Sequence, residues 1–144
     1  MVVGAPGRGA AYVFRRNSAG VWRQVQRLIA NEMGFGGAFG AAVAIDRGMI
    51  IVGAPFVGAD PENELQGSGA AYGFIANGGV YVETFKLKPR PGDIDRYILF
   101  GKDVAMFDQR VVVGAERDVS SDNFLSGTAV FTYTRAGSSM TPEA

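Results

Sequence analysis

Asp118, Ser120 and Asp122 stand at the i, i+2, i+4 spacing with which a calcium-binding loop opens, and Asn123 follows where such a loop must turn sharply. The chemistry would be coordination of a hard cation by side-chain oxygens. Such a loop closes on a bidentate Glu at its twelfth position, and here that position is Ala129, inside an apolar run. The three residues are candidate ligands, set against the simpler reading of a solvated loop with local Asx turns. Asp60, Glu62 and Glu64 form a second acidic group, stiffened by Pro61. No cofactor is expected.

Catalytic chemistry has few of its usual carriers. The chain contains no His and no Cys, which excludes a Ser-His-Asp triad, a Cys-His pair and a His- or thiolate-ligated zinc. Paired carboxylates could hydrolyse a glycosidic bond, but only if one stood in an environment that raised its pKa. No Asp or Glu pair is placed that way by the sequence. The glycines at 4, 40, 53, 101 and 114 do not form a phosphate loop, because no Gly-x-x-x-x-Gly-Lys-Ser/Thr run exists. The expectation is a protein that is not an enzyme. Its contacts would come from apolar loop residues, Phe56, Phe124 and Leu125, together with Asp60, Glu62 and Glu64.

Those loops must hang on something, and one segment occurs three times. Val2-Val3-Gly4-Ala5-Pro6 returns as Ile51-Val52-Gly53-Ala54-Pro55 and as Val112-Val113-Gly114-Ala115-Glu116. A small-residue strand follows each copy: Gly9–Phe14, Gly69–Phe74 and Gly127–Phe131. Phe39-Gly40 and Phe100-Gly101 open the strands that precede the second and third copies, ending at Asp46 and Asp108. Self-similarity at this period is the mark of a repeat architecture. The apolar residues fall in short runs punctuated by Gly, Asn, Asp and Pro, and no segment sustains a helical period.

The repeat reads as four strands. The Phe-Gly strand comes first, then the run ending in Gly-Ala-Pro, then Gly-Ala-Ala-Tyr. An outer strand that alternates apolar and polar residues follows, Val21–Leu28 and Val80–Leu87. Asp46-Arg47-Gly48 and Asp108-Gln109-Arg110 make tight turns, and Asn77-Gly78 supplies the positive φ of a type I′ turn. Trp22 and Tyr81, at equivalent places on the outer strand, are expected to pack between neighbouring units. An antiparallel four-stranded unit of this kind is a propeller blade. Ten strands result: one whole blade, about 34–90, between partial blades of about 1–33 and 91–135. A polar, flexible tail is expected over 136–144.

Together these motifs resemble the FG-GAP repeat of integrin-α-type β-propellers. The best piece runs from Trp22 through Phe39-Gly40 to Pro55, and the resemblance extends from Val2 to Tyr133. It implies an all-β fold of antiparallel blades, a partial propeller arc of about three blades. Integrin-type repeats often carry an Asp-x-Asp-x-Asp-Gly calcium loop between the first two strands. Here that turn has a single carboxylate, so the implied calcium role does not carry over to it. The third copy also departs, with Glu116 in place of Pro.

Composition sets the partners. Lys+Arg and Asp+Glu are both 14, a formal net charge of zero, which disfavours nucleic acid and anionic membranes. Hydrophobic residues are 47%, enough for a core, but no stretch is long and apolar enough to span a membrane. The expected partner is protein, either copies of the chain or a larger complex. The expected role is a structural or assembly module. The alternative is an adhesion or recognition propeller that takes a protein or glycan, with calcium, at its second-to-third-strand loops. No signal-peptide pattern opens the sequence, whereas the resemblance favours an extracellular or cell-surface setting.

Overall fold

A computed structural model of the chain describes residues 1–31, 37–58, 68–89, 99–116 and 128–143. Eleven strands form among them: β1 (Val2–Ala5), β2 (Ala10–Arg16), β3 (Trp22–Leu28), β4 (Val43–Asp46), β5 (Met49–Ala54), β6 (Ala70–Asn77), β7 (Val80–Leu87), β8 (Asp103–Phe107), β9 (Arg110–Glu116), β10 (Thr128–Ala136) and β11 (Ser139–Pro142). They make three antiparallel sheets, β1-β2-β3, β4-β5-β6-β7 and β8-β9-β10-β11. The architecture is all-β, with each sheet a propeller-type blade.

Two details depart from the sequence reading. Ser139–Pro142, expected as part of a polar tail, forms β11 and pairs Ser139 with Ala136 and Pro142 with Tyr133. Gly137, at φ 64°, makes the turn that brings it back. Phe39-Gly40 and Phe100-Gly101 are turns rather than strand. Gly40 and Gly101 sit at φ 97° and 90°, which breaks the extended run, so that the regular strands begin only at Val43 and Asp103. The Asn77 turn has the expected form, with Gly78 and Gly79 both at positive φ.

The core lies between the blades. In β5 all six residues are buried, because both faces are covered. Ile50, Val52 and Ala54 join Ala11, Val13 and Leu28 of the first blade in one cluster, with Tyr72, Phe74 and Phe39. Met49 and Ile51 join Val111, Val113 and Tyr133 of the third blade in another, with Phe100 and Leu87. Full burial of each Val or Ile contributes about 1.5–3 kcal/mol. The period-2 alternation of a single strand therefore welds all three blades.

The outer strands are tied by a side chain acting as backbone. Gln26 of β3 donates through Nε2 to the Tyr81 carbonyl and accepts the Tyr81 N–H at Oε1, both at 2.7 Å. Its primary amide takes the two bonds that a paired strand residue would make. Gln26→Ala should lower unfolding free energy by about 1–2 kcal/mol, the net value of two such bonds. Urea denaturation checks this, and an unchanged midpoint would mean that water replaces the amide at no cost.

Candidate functional site

The joint between blades is built twice from the same parts. Phe39 is wholly buried, with its ring 5.6 Å from Tyr72 and 6.0 Å from Phe74 of its own blade. Gly40 N–H donates to the Gly53 carbonyl at 2.9 Å, fixing the turn to β5. The Gly40 carbonyl then rests directly on Gly4 of the first blade, where a Cβ would collide with it. The next joint repeats this. Phe100 is wholly buried against Phe131 and Tyr133, at 5.2 and 6.4 Å, and Gly101 N–H donates to the Gly114 carbonyl at 3.0 Å. The Gly101 carbonyl rests on Gly53 of the second blade in the same way. Glycine is required in the second strand because a carbonyl from the neighbouring blade occupies the place of its side chain.

Gly114 holds the same position in the third blade. Among the described residues its nearest neighbour on that side is Asp103 of its own blade, with no carbonyl from another blade against it. The register places Asp103 and Val130 beside Gly114, and Ala105 and Thr132 beside Val112, all on one face. This face turns away from the core and forms an open groove of about 520 Å³. Val130 is 67% exposed and Phe107 79%. Lys102 and Glu116 form an ion pair along its edge. The face thus exposes Ala105, Val112 and Val130, with Asp103 beside the glycine, and Gly114 is flanked by Asp103 and Val130 where Gly53 has Ala71 and Gly4 has Ala11.

A polar cluster closes the other end of the joint between the second and third blades. Arg47, at φ 41°, donates to the Asp108 carboxylate, and Asp108, at φ 58°, donates its N–H to Asp46 at 2.7 Å. The two tight turns between first and second strands are therefore clasped together. Exposed pairs of this kind are worth about 0–1 kcal/mol, so the cluster sets register more than stability.

The Glu143 carboxyl is held below its ordinary pKa. The Thr134 hydroxyl, which donates to it, is the main cause, with help from the Arg110 guanidinium at 3.3 Å. A depressed pKa means that its contribution is present above the ordinary carboxylate range and is lost as pH falls through that range. Acidification below about pH 4 should therefore loosen β11 from β10, read from the β11 amide shifts during an NMR titration. Glu143→Gln should remove that response, and an identical titration in the variant would show that Glu143 does not hold the strand.

Of the residues singled out in the sequence, Phe56 is described. It follows Pro55 in a turn and is 42% exposed, with its N–H on the Gly37 carbonyl at 3.3 Å. Asp60, Glu62, Glu64, Asp118, Ser120, Asp122, Phe124 and Leu125 lie outside the described residues. Among the described residues no group of three or more acidic side chains could hold a metal ion, and no helix is long and apolar enough to cross a membrane. Tyr81 packs against the core of the first joint as expected, whereas Trp22 is 50% exposed. The Gly114 face was missed. Its signal lay in the third copy of the Val-Val-Gly-Ala run, whose glycine is matched by no further Phe-Gly within the chain.

Comparison with known proteins bears on the same segment. A family model described as FG-GAP repeat matches residues 22–74, from β3 through the Phe39-Gly40 turn to β6. No curated protein matches the chain.

Proposed function

We propose that this chain, which carries an FG-GAP repeat over residues 22–74, is a non-enzymatic structural and assembly module that binds a second copy of itself through the open face of its third blade. The observation that carries this reading is Gly114. It holds the strand position of Gly4 and Gly53, each of which receives a neighbouring carbonyl, and it lies in a groove with Val112 and Val130. Exposed apolar residues bordered by charged ones, here Val112 and Val130 beside Asp103, Lys102 and Glu116, are the anatomy of a protein interface. The zero net charge leaves little repulsion between copies.

The test is absolute mass by light scattering across a range of concentrations. The wild-type chain, at 15.2 kDa, should form a defined oligomer. Val130→Glu, which places a charge in the groove without touching the core, should be a folded monomer whose melting temperature no longer depends on protein concentration. A wild-type chain that stays monomeric at every concentration, or a Val130→Glu variant that associates equally well, would overturn the proposal.

A further inference from the structure

The first blade carries an imbalance that the fold does not need. Residues 1–31 contain five arginines, Arg8, Arg15, Arg16, Arg23 and Arg27, and no Asp or Glu. Ion pairs form elsewhere among the described residues, Arg47 with Asp108, Lys102 with Glu116 and Arg110 with Glu143, but none reaches these five.

The three blades serve as each other's controls. Arg15 and Arg23 are direct cross-strand partners in the β2–β3 hairpin. The equivalent pair is Ile75 with Val82 in the second blade and Thr134 with Thr141 in the third. The hairpin therefore forms with apolar or neutral residues in these positions, and like charges directly opposite each other destabilise it. On the other face of the hairpin Arg16 pairs with Trp22, the single Trp of the chain. Two of the guanidiniums are held in place by backbone carbonyls, Arg15 by Gly79 at 3.2 Å and Arg16 by Gly20 at 3.0 Å. Their remaining donors are pre-positioned for a partner, which lowers the entropic cost of binding.

We infer that the outer edge of the β2–β3 hairpin, with Arg15 and Arg23 on one face and Arg16 and Trp22 on the other, is a docking surface for an acidic segment of a partner protein that straddles that edge. Arginine fits because its planar fork binds carboxylates in bidentate fashion. Protein is favoured over nucleic acid because Arg and Trp are the residues that dominate protein interfaces. In addition, the rest of the chain carries all 14 acidic residues against nine basic ones (14 − 5), which would repel a long polyphosphate. The inference rests on the reading of the chain as a protein-interaction module and names the chemistry of a second partner at a different surface.

The experiment uses a labelled oligo-glutamate peptide as the probe. Anisotropy reads binding, and the emission of Trp22 reads its place. At low salt the peptide should bind saturably and perturb Trp22. The double variant Arg15→Ile, Arg23→Val installs the second blade's residues, so it should fold as well as wild type. It should bind at least tenfold more weakly. No saturable binding, or equal binding by the double variant, would overturn the inference, as would tighter binding of heparin or single-stranded DNA than of the peptide. Light scattering on the same samples keeps the two readings apart. A monomer that binds the peptide contradicts self-assembly alone, and an oligomer that ignores it contradicts this inference alone.

Discussion

Gly53→Ala should unfold the chain or cost it about 3 kcal/mol or more, while the matching Gly114→Ala should cost less than about 1 kcal/mol. The two residues occupy the same position in successive blades. At Gly53 a methyl would strike the Gly101 carbonyl, and the obstacle is backbone, which cannot rotate aside as a side chain can. Relief would require the third blade to move off the second and open the cluster around Ile51, Val113 and Phe100. At Gly114 a methyl would meet the Cβ of Asp103 at 3.2 Å, a contact that a side chain on the open face can ease. The same methyl would stand where a docked carbonyl must rest, so Gly114→Ala should weaken self-association while leaving the fold intact. Denaturant unfolding of the two variants side by side, with light scattering on the second, separates these effects. Equal destabilisation at both positions would mean that glycine serves strand geometry alone and that the joint plays no part.

Phe100→Ala should cost about 3–5 kcal/mol, and Phe39→Ala about the same, because each ring is wholly buried and removing it leaves a cavity between two blades. The consequence differs from an ordinary core truncation. Phe100 lies against Phe131 and Tyr133 in the cluster shared with Met49 and Ile51, so its loss loosens the second blade from the third while each sheet keeps its own hydrogen bonds. Thermal unfolding of Phe100→Ala should broaden or split, with tertiary signals lost before strand signal. Single-step melting at an unchanged temperature would place the main stabilisation within the sheets instead.

The order of strands was legible because each second strand needs small residues at fixed places, and the sequence repeats Val-Gly-Ala, after Val or Ile, wherever that need arises. The type I′ turn at Asn77 was legible for the same reason, since few residues accept its backbone. The Phe-Gly turns were not, because a glycine inside an apolar run looks like strand until its φ is known. Ser139–Pro142 was not legible either. Four polar and mixed residues show no alternation of their own, and they become a strand only because Gly137 folds them onto β10. The Gly114 face was half visible. Gly114 could be counted as a third copy, but which atom fills the place beside a glycine emerges only when the blades are packed.

The most direct measurement uses the chain's lack of cysteine. Val130→Cys places a single thiol in the open face of the third blade, and Ser138→Cys places one on the exposed β10–β11 turn. Reaction with a thiol reagent is followed as protein concentration rises. The thiol at position 130 should become progressively protected while that at position 138 reacts at a constant rate. Constant reactivity at both positions would contradict the claim that this face is where the protein makes its contacts.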